Sequence, residues 1–264
     1  MIIKHYLRRL LTEPIGLAIN VAFPVVIVVL NTVINVDILD AADQSLIVNG
    51  YSVMATVLAT IIMVMFQFMY GTHIVDLLFR DFRSATRWRL LAAPKSINKY
   101  IFSAMLACVF FSILAGVLIM AVAAIFLDAH LHNPFILIGV ITITSIFSQI
   151  FGMLVFLLVR KKGTAEAICV LFSFAMVVPA GHFLITFNMG RVVDFIFGYL
   201  TPYALAMRAI LSSGIMGNTV NENFTGNFAY GRDMSTALLN MGALAATTAA
   251  LAIITAIVAR RRSV

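Results

Sequence analysis

The sequence predicts an all-α integral membrane protein, and three observations lead to this prediction. Hydrophobic residues make up 62% of the 264 residues and charged residues only 11%, which is less than half the charge of a typical soluble domain. Apolar stretches of about 20 residues, long enough to cross a bilayer as helices, recur along the chain. The lysines and arginines fall almost entirely between those stretches, so the composition excludes an ordinary soluble domain.

Six membrane spans are predicted from the apolar stretches. A long segment, 188–235, separates the last two spans and is interrupted too often by glycine and proline to form another one. Its first part is expected to form short broken helices that dip partway into the membrane from outside, and its last part is polar and turn-rich. The predicted spans are residues 15–34, 51–75, 101–127, 134–159, 166–187 and 236–259.

The basic residues alternate sharply from one loop to the next. Fifteen of the 18 lysines and arginines lie in the N-terminus, the loops 76–100 and 160–165, and the C-terminal tail. The other three lie in 188–235. Cytoplasmic loops are enriched in lysine and arginine, so we expect both termini in the cytoplasm, the segment 188–235 outside, and a plasma or inner membrane location. The net charge of +7 is then a topology signal, and nucleic acid is not an expected partner.

The N-terminal residues 1–14, MIIKHYLRRLLTEP, form an amphipathic pattern. A helix with one apolar and one basic face lies in the membrane interface with its cations toward the lipid headgroups. The sequence therefore predicts an interfacial helix; the alternative is a basic flank that only orients the first span. At helical spacing the apolar face consists of Ile3, Leu7, Leu10, Leu11 and Pro14, and the polar face of Lys4, His5, Arg8, Arg9 and Thr12.

The loop 79–94, FRDFRSATRWRLLAAP, is unusually basic. Arg80, Arg83 and Arg87 have the spacing of one helical face. Pro94 ends such a helix because proline disfavours helical geometry in the preceding residue, and a new helix is expected to start near Ser96. The loop is thus predicted to be a short basic helix beneath the membrane that passes on motion from a docked partner. The alternative is a charged stop that only sets topology.

Two segments resemble those of a known family. The stretch RSATRWRLLAAPKSINKYIFSAMLA resembles the loop after the second span of ABC-2 type transporter permeases, in which a leucine pair, a small residue and a proline precede a polar turn. The stretch YLTPYALAMRAILSSG, residues 199–214, resembles that family's segment before the last span. Six spans, cytoplasmic termini, an amphipathic N-terminal helix and a large fifth loop extend the resemblance over 1–264, as a single ABC-2 type transmembrane domain.

The resemblance implies that residues 82–93, within the loop 79–94, are a coupling helix that sits in a groove of a separate ATPase subunit. The family commonly has glutamates ahead of the leucine pair, where this sequence has Ser84, Thr86 and two arginines. The docking surface on the ATPase is therefore expected to be more acidic than usual, or the loop docks differently. The implied contacts with the ATPase are Arg83, Arg87, Trp88, Arg89, Leu91 and Pro94.

By the same resemblance, the chain is expected to be the permease subunit of an ATP-binding cassette exporter. Two permeases, identical or sister chains, would form the translocation pathway and two ATPases would drive it. The chain lacks the G-x-x-x-x-G-K-[ST] loop that cradles phosphates, so it is not expected to be an enzyme by itself. No cofactor is expected in this chain, and ATP and magnesium are expected on the partner subunit.

Other functions were considered on the residues alone. An ion-coupled secondary transporter would favour ionisable groups near mid-membrane and repeated halves, and the spans show neither clearly. A membrane enzyme would need clustered catalytic side chains, whereas the five histidines are scattered along the chain. A non-transporting membrane sensor or immunity protein stays open as an alternative within the same fold.

Ionisable residues inside membrane spans are candidates for function. His73, Asp76 and Arg80 lie about one turn apart at the end of the second predicted span, a spacing that favours an interfacial charge network over a proton relay. His182 follows a proline and a glycine near the outer end of the fifth span. We interpret it as a hydrogen-bonded histidine at the outer interface rather than as a ligand.

A possible substrate pathway is assigned to aromatic and amide residues of the second and fifth spans. Phe66, Gln67, Phe172 and Phe174 lie on spans that could border a path for an amphipathic cargo. Uncharged polar residues in spans more commonly hydrogen-bond one helix to another. This alternative applies to Asn20, Asn31, Gln67, Ser145, Ser148 and Gln149.

The charge alternation predicts that Asn218 faces outside, because it lies in the poorly basic segment 188–235. In a cysteine-free background, Asn218→Cys in intact cells should react with a thiol reagent that does not cross the membrane. Reaction only after permeabilisation would contradict the predicted topology.

Overall fold

The structure, a computed structural model, describes residues 2–12, 21–30, 47–48, 51–83, 88, 97–130, 133–177, 196–213 and 234–261. Within these residues the chain is helical apart from short turns and two strands, β1 (Ile47–Val48) and β2 (Tyr51–Ser52), which pair antiparallel. A π-helical turn lies at Ile196–Leu200. The helices are α1 (Ile2–Thr12), α2 (21–30), α3 (Val53–Met69), α4 (Gly71–Phe82), α5 (Ile97–Phe126), α6 (Pro134–Leu158), α7 (Lys162–Val177), α8 (Pro202–Ser212) and α9 (Met234–Arg261).

Four helices of the described residues are long and apolar enough to cross a membrane: Ala55–Phe82, which joins α3 to α4, together with α5, α6 and α9. They correspond to the second, third, fourth and sixth predicted spans. Helices α2 and α7 lie within or overlap the first and fifth predicted spans. The chain on either side of α2 and beyond the end of α7 lies outside the described residues, so the number six stays a prediction.

The helices extend past the predicted ends of the spans where charged residues begin. The second span was expected to end at residue 75, but its helix continues to Phe82. Helix α7 likewise begins four residues before the predicted fifth span, at Lys162. Helix α5 begins at Ile97, which confirms the helix start expected near Ser96. Charge ends a hydrophobic stretch but not a helix, and in α4 and at the start of α7 the charged side chains are paired: Asp76 with Arg80 and Lys162, and Asp81 with Arg9.

Helices α3 and α4 form the centre of the molecule. The most apolar 18 residues of Ala55–Phe82 are 78% buried inside the protein, whereas the corresponding stretch of α9 is only 17% buried. Helix α6 is also central and packs against α3, α4, α5 and α9, whereas α9 packs mainly against α6 and α8. Most of the α9 surface is therefore exposed in the single chain.

Two layers of buried side chains follow one another along the helices. One layer contains α3, α8, the second half of α5 and the first half of α6. The other contains Tyr6 of α1, the buried apolar side chains of α4, and the adjoining ends of α5, α6 and α7, with Val258 and Ala259 of α9 packed against it. The elements whose basic charge predicted a shared side of the membrane thus meet at one end of the molecule.

Of the two short helical elements between α7 and α9, α8 belongs to the first layer, and the more exposed π-helical turn packs against α8. Helix α8 is almost entirely buried against α3, α6 and α9. Its start is defined locally: Thr201 accepts a hydrogen bond from the Ala204 amide, and Pro202 occupies the first turn, where its missing N–H costs nothing. The break that glycine and proline predicted in this segment lies at Thr201, between the π-helical turn and α8.

Helices α4 and α6 touch backbone to backbone. A Cβ atom added to Gly152 would lie 2.2 Å from the Gly71 carbonyl oxygen, and one added to Gly71 would lie 2.5 Å from the Ser148 carbonyl oxygen. Small residues allow such close approach between membrane helices. Glycine at these two positions therefore sets the distance between the two central helices.

Gly152→Ala is expected to destabilise the protein, because the added methyl group meets the backbone of α4 and the helices must separate. Overpacking of this kind costs about 1 to 3 kcal/mol, measured as a lower melting temperature in detergent. Gly242→Ala in α9 is the matched control, since nothing lies within 4 Å of its added Cβ. An equal loss of stability in both variants would contradict the role of the close contact.

Candidate functional site: a buried polar seam and an anchored helix end

A buried polar seam joins the central helices, and it consists of Gln67, Ser112, Ser145 and Gln149. Gln67 Nε2 donates to the Ser112 carbonyl oxygen at 2.9 Å, and Ser145 Oγ donates to Gln67 Oε1 at 2.7 Å. Gln149 Nε2 donates to Ser112 Oγ at 3.2 Å. All four residues are fully buried. Hydrogen bonds in such a low-dielectric interior are strong when made and costly when absent, so the seam fixes three helices together.

The seam also fixes an interruption in the central helix. Helix α3 ends at Met69 and α4 begins at Gly71, with Tyr70 in a turn between them. The Tyr70 carbonyl oxygen accepts a hydrogen bond from Gln149 Nε2 at 3.0 Å. A side chain of α6 therefore stabilises the backbone at this junction, directly beside the close contact at Gly71.

The structure gives the residues of the predicted pathway the following contacts. Gln67 hydrogen-bonds α3 to α5 and α6. This is the helix-to-helix role that the sequence offered as the alternative to lining a cargo path. The Phe172 ring stacks on Phe151, with 4.1 Å between ring centroids, and Phe66 meets Phe23 edge-on. Phe174 is partly buried against the core layer that contains α3 and α8. A role of these residues in cargo transport stays a prediction.

A second polar group lies at the end of α4. Arg80 Nε donates to Asp76 Oδ1 at 2.9 Å, and the Lys162 ammonium at the start of α7 also pairs with Asp76. The hydrogen bond to Asp76 raises the pKa of Lys162, so the ammonium stays charged. The charge network expected around Asp76 is thus present. The ring of His73 stacks on Tyr70.

Asp81 holds the N-terminal helix. The Tyr6 hydroxyl donates to Asp81 Oδ2 at 2.6 Å, and Arg9 Nη1 donates to Asp81 Oδ1 at 3.1 Å. Burial, and secondly the hydrogen bond to Asp81, raise the pKa of Tyr6, so the phenol remains a proton donor. One carboxylate therefore fixes both the position and the rotation of α1 relative to α4.

Arg83 caps the end of α6. Its guanidinium donates to the carbonyl oxygens of Val159 at 2.7 Å and Phe156 at 3.0 Å, and it lies over the rings of Phe79 and Phe156. The last carbonyls of a helix have no partner within the helix, and a cation beside them is favourable. Arg83 therefore joins the end of α4 to the end of α6.

This geometry corrects the expected face of three arginines. Helix α4 ends at Phe82, and the Arg83 backbone leaves helical geometry at φ −119° and ψ 7°. Arg80 therefore belongs to the preceding membrane helix. Because Arg83 is not helical, a single helix face cannot carry Arg80, Arg83 and Arg87. The spacing of the three arginines predicted one helix, but α4 ends before Arg83, whose side chain instead binds the carbonyl oxygens at the end of α6.

The remaining predicted contacts with an ATPase are only partly visible. Trp88 lies in helical geometry and its side chain is 76% exposed. Arg87, Arg89, Leu91 and Pro94 lie outside the described residues, as does His182. The assignment of these residues to a partner stays a prediction.

Asp76, Asp81 and Arg83 are here named the α4 anchors, because each joins α4, or the residue that follows it, to a different helix. Their partners are on α7, α1 and α6, and lie more than 70 residues away along the chain. Sequence reasoning missed these pairings. A signal was present in the sequence: Asp76 and Asp81 stand at the start of an otherwise basic loop. Two carboxylates there are typical of basic charge that is paired within the chain.

Metal binding finds no support in the part of the chain that the structure describes. Among those residues no three His, Cys, Asp or Glu side chains come together in a way that could hold a metal ion. The acidic residues of this end instead pair with lysine and arginine. These ion pairs hold helices together at this end of the molecule.

Several apolar helices and a charged, anchored end define a multi-pass membrane protein. A family model described as "ABC-2 family transporter protein" matches residues 1–257. The chain belongs to this family, as its resemblance indicated, and is a membrane permease of the ABC transporter class. Such permeases are in general non-catalytic and associate with an ABC ATPase subunit. A comparison with curated proteins found no match.

Asp81→Asn should loosen α1, because it removes the charge that Arg9 and Tyr6 share. A partly buried pair of this kind contributes about 1 kcal/mol, so amide hydrogen exchange over residues 2–12 should become about five-fold faster in detergent. Asp128→Asn is the control: it removes the same charge at an exposed residue for which the described part of the chain shows no ion-pair partner. Unchanged exchange in Asp81→Asn would show that Asp81 does not hold α1.

Proposed function

We propose that the chain is the permease subunit of an ATP-binding cassette exporter. Two permeases form the pathway across the membrane, and a separate ATPase subunit on the cytoplasmic side supplies the energy. The observation that supports this proposal most directly is the anchored end of α4. Of its three anchors, Asp76 and Asp81 precede the segment 82–93 that the family resemblance identifies as the coupling helix, and Arg83 lies at the start of that segment.

The anchors give that loop a mechanical connection to the rest of the permease. A force applied to the chain after Arg83 acts on α4, and through the anchors on α1, α6 and α7. A flexible loop would absorb a displacement, whereas a loop that starts from a fixed point transmits it. Four helices would thus respond together to the movement of an ATPase docked beneath them.

The docking surface is proposed to consist of Arg87, Trp88, Arg89, Leu91 and Pro94. A largely exposed tryptophan beside arginines is typical of the residues that dominate binding at protein interfaces. Trp88 shows this exposure. Arg83, in contrast, is assigned to the permease itself, because its guanidinium already binds the carbonyls of α6.

The side of the membrane follows from charge. The end of the molecule that contains α1, the end of α4 and the start of α7 holds most of the described lysines and arginines, and cytoplasmic ends are enriched in these residues. ATP is available on that side. ATP and magnesium are therefore assigned to the partner subunit, and the segment that contains α8 is assigned to the outer half.

Reversing the charge of the docking surface should strongly weaken binding of the ATPase. Arg87→Glu with Arg89→Glu would break pairs in a partly desolvated groove, at a cost of about 2 kcal/mol or more, which is about 30-fold in affinity. Trp88→Ala should weaken binding separately, through loss of an exposed anchor. The measurement is co-purification with candidate ABC ATPases of the same genome.

The control is Arg260→Glu with Arg261→Glu, which reverses two exposed charges of α9 at the same end of the molecule. This variant should retain the ATPase. Equal retention by both double variants would place docking elsewhere. Failure of the unaltered chain to capture any ABC ATPase, or ATP hydrolysis by the chain purified alone, would contradict the proposed function itself.

A further inference from the structure

Helix α1 has three distinct faces. One faces the protein and contains Tyr6, Leu10 and Arg9, the last of these paired with Asp81. A second face is an apolar ridge of residues four apart along the helix: Ile3, Leu7 and Leu11. Ile3 is 43% and Leu11 is 42% exposed, and Leu7 is half-buried.

The third face is basic and lies directly beside the apolar ridge. Lys4 and Arg8 are each one residue further along than Ile3 and Leu7, so they form the neighbouring ridge of the helix. Both side chains are exposed. The sequence alone grouped Leu10 with the apolar face and Arg9 with the basic face. In the structure both residues contact the protein and are only partly exposed.

The charges at this end of the molecule do not balance. The described acidic residues here, Asp76, Asp81 and Glu166, each pair with an arginine or lysine. Several exposed bases have no acidic partner among the residues that the structure describes. They are Lys4, Arg8, Lys99, Arg160, Lys161, Arg260 and Arg261. The end surface therefore carries a net positive charge that is available to an anionic partner.

We propose that α1 binds the headgroups of anionic phospholipids through Lys4 and Arg8, while Ile3, Leu7 and Leu11 enter the boundary of the acyl chains. An apolar ridge beside a basic ridge is the surface expected of a helix in the membrane interface. Arg9 takes no part in lipid binding, because Asp81 holds it against the protein.

The rotation of α1 favours lipid over a soluble partner. The bonds from Tyr6 and Arg9 to Asp81 fix that rotation, so the apolar ridge cannot turn inward. An acidic groove on a soluble protein would match Lys4 and Arg8 but would leave an adjacent isoleucine and leucine in water. A membrane surface of anionic lipid matches both ridges at once.

The experiment is a lipid titration of the whole chain in neutral detergent, with melting temperature and native mass spectrometry as readouts. Phosphatidylglycerol should stabilise the protein and remain bound, and phosphatidylcholine should do neither. Each basic residue near an anionic surface contributes about five-fold in affinity. The phosphatidylglycerol midpoint should therefore rise about five-fold in Arg8→Gln and about 25-fold in Lys4→Gln with Arg8→Gln.

Arg9→Gln is the matched control, since it removes the same charge one residue away. Its melting temperature should fall because the pair with Asp81 is lost, but its phosphatidylglycerol midpoint should not change. Arg8→Lys should keep the midpoint of the unaltered chain.

Three results would overturn the proposal. These are an equal response to both lipids, an equal shift of the midpoint in Arg8→Gln and Arg9→Gln, and an unchanged midpoint in the Lys4 and Arg8 double variant. If that double variant keeps its midpoint but fails to co-purify with an ABC ATPase, the basic ridge binds the ATPase and not lipid. The lipid titration needs no ATPase, so its outcome is separate from that of the proposed function.

Discussion

The backbone contact between α4 and α6 is the constraint on which the other interactions depend. Glycine at positions 71 and 152 lets the two helices approach until a single added methyl group would overlap the opposite backbone. At that distance the Gln149 side chain of α6 can donate a hydrogen bond to the Tyr70 carbonyl oxygen at the start of α4. Further along, Arg83 reaches the last carbonyls of α6. The seam and the cap both require the helix spacing that the glycines allow.

The polar residues of these helices change from uncharged in the buried middle to charged at the partly exposed end. The buried seam consists of uncharged amides and hydroxyls such as Gln67 and Ser145, with several of their hydrogen bonds made to backbone carbonyls or to one another. The described ion pairs of Asp76 and Asp81 lie only at the end, where their side chains are partly exposed. Burying an ion deep in the protein costs several kcal/mol, so the strongest electrostatic contacts are kept where water reduces that cost.

Helix α1 connects the two proposals. Through Asp81 it is fixed to the end of α4, which precedes the proposed docking surface for the ATPase. Through Lys4 and Arg8 it is proposed to rest on anionic lipid. The membrane surface and the ATPase would therefore act on opposite sides of the same anchored helix end, and lipid charge would influence how firmly that end is held.

The sequence by itself determined the features that depend on local composition. Apolar length placed the membrane helices, alternating basic charge grouped their ends, and Pro202 with Thr201 located the break before α8. Only the tertiary structure decided which helices the charged residues join. Asp81 meets Arg9 across 72 positions and Arg83 meets Val159 across 76, and such separations leave no periodic signal. A residue's helix follows from its neighbours in sequence, whereas its partner follows from how whole helices pack.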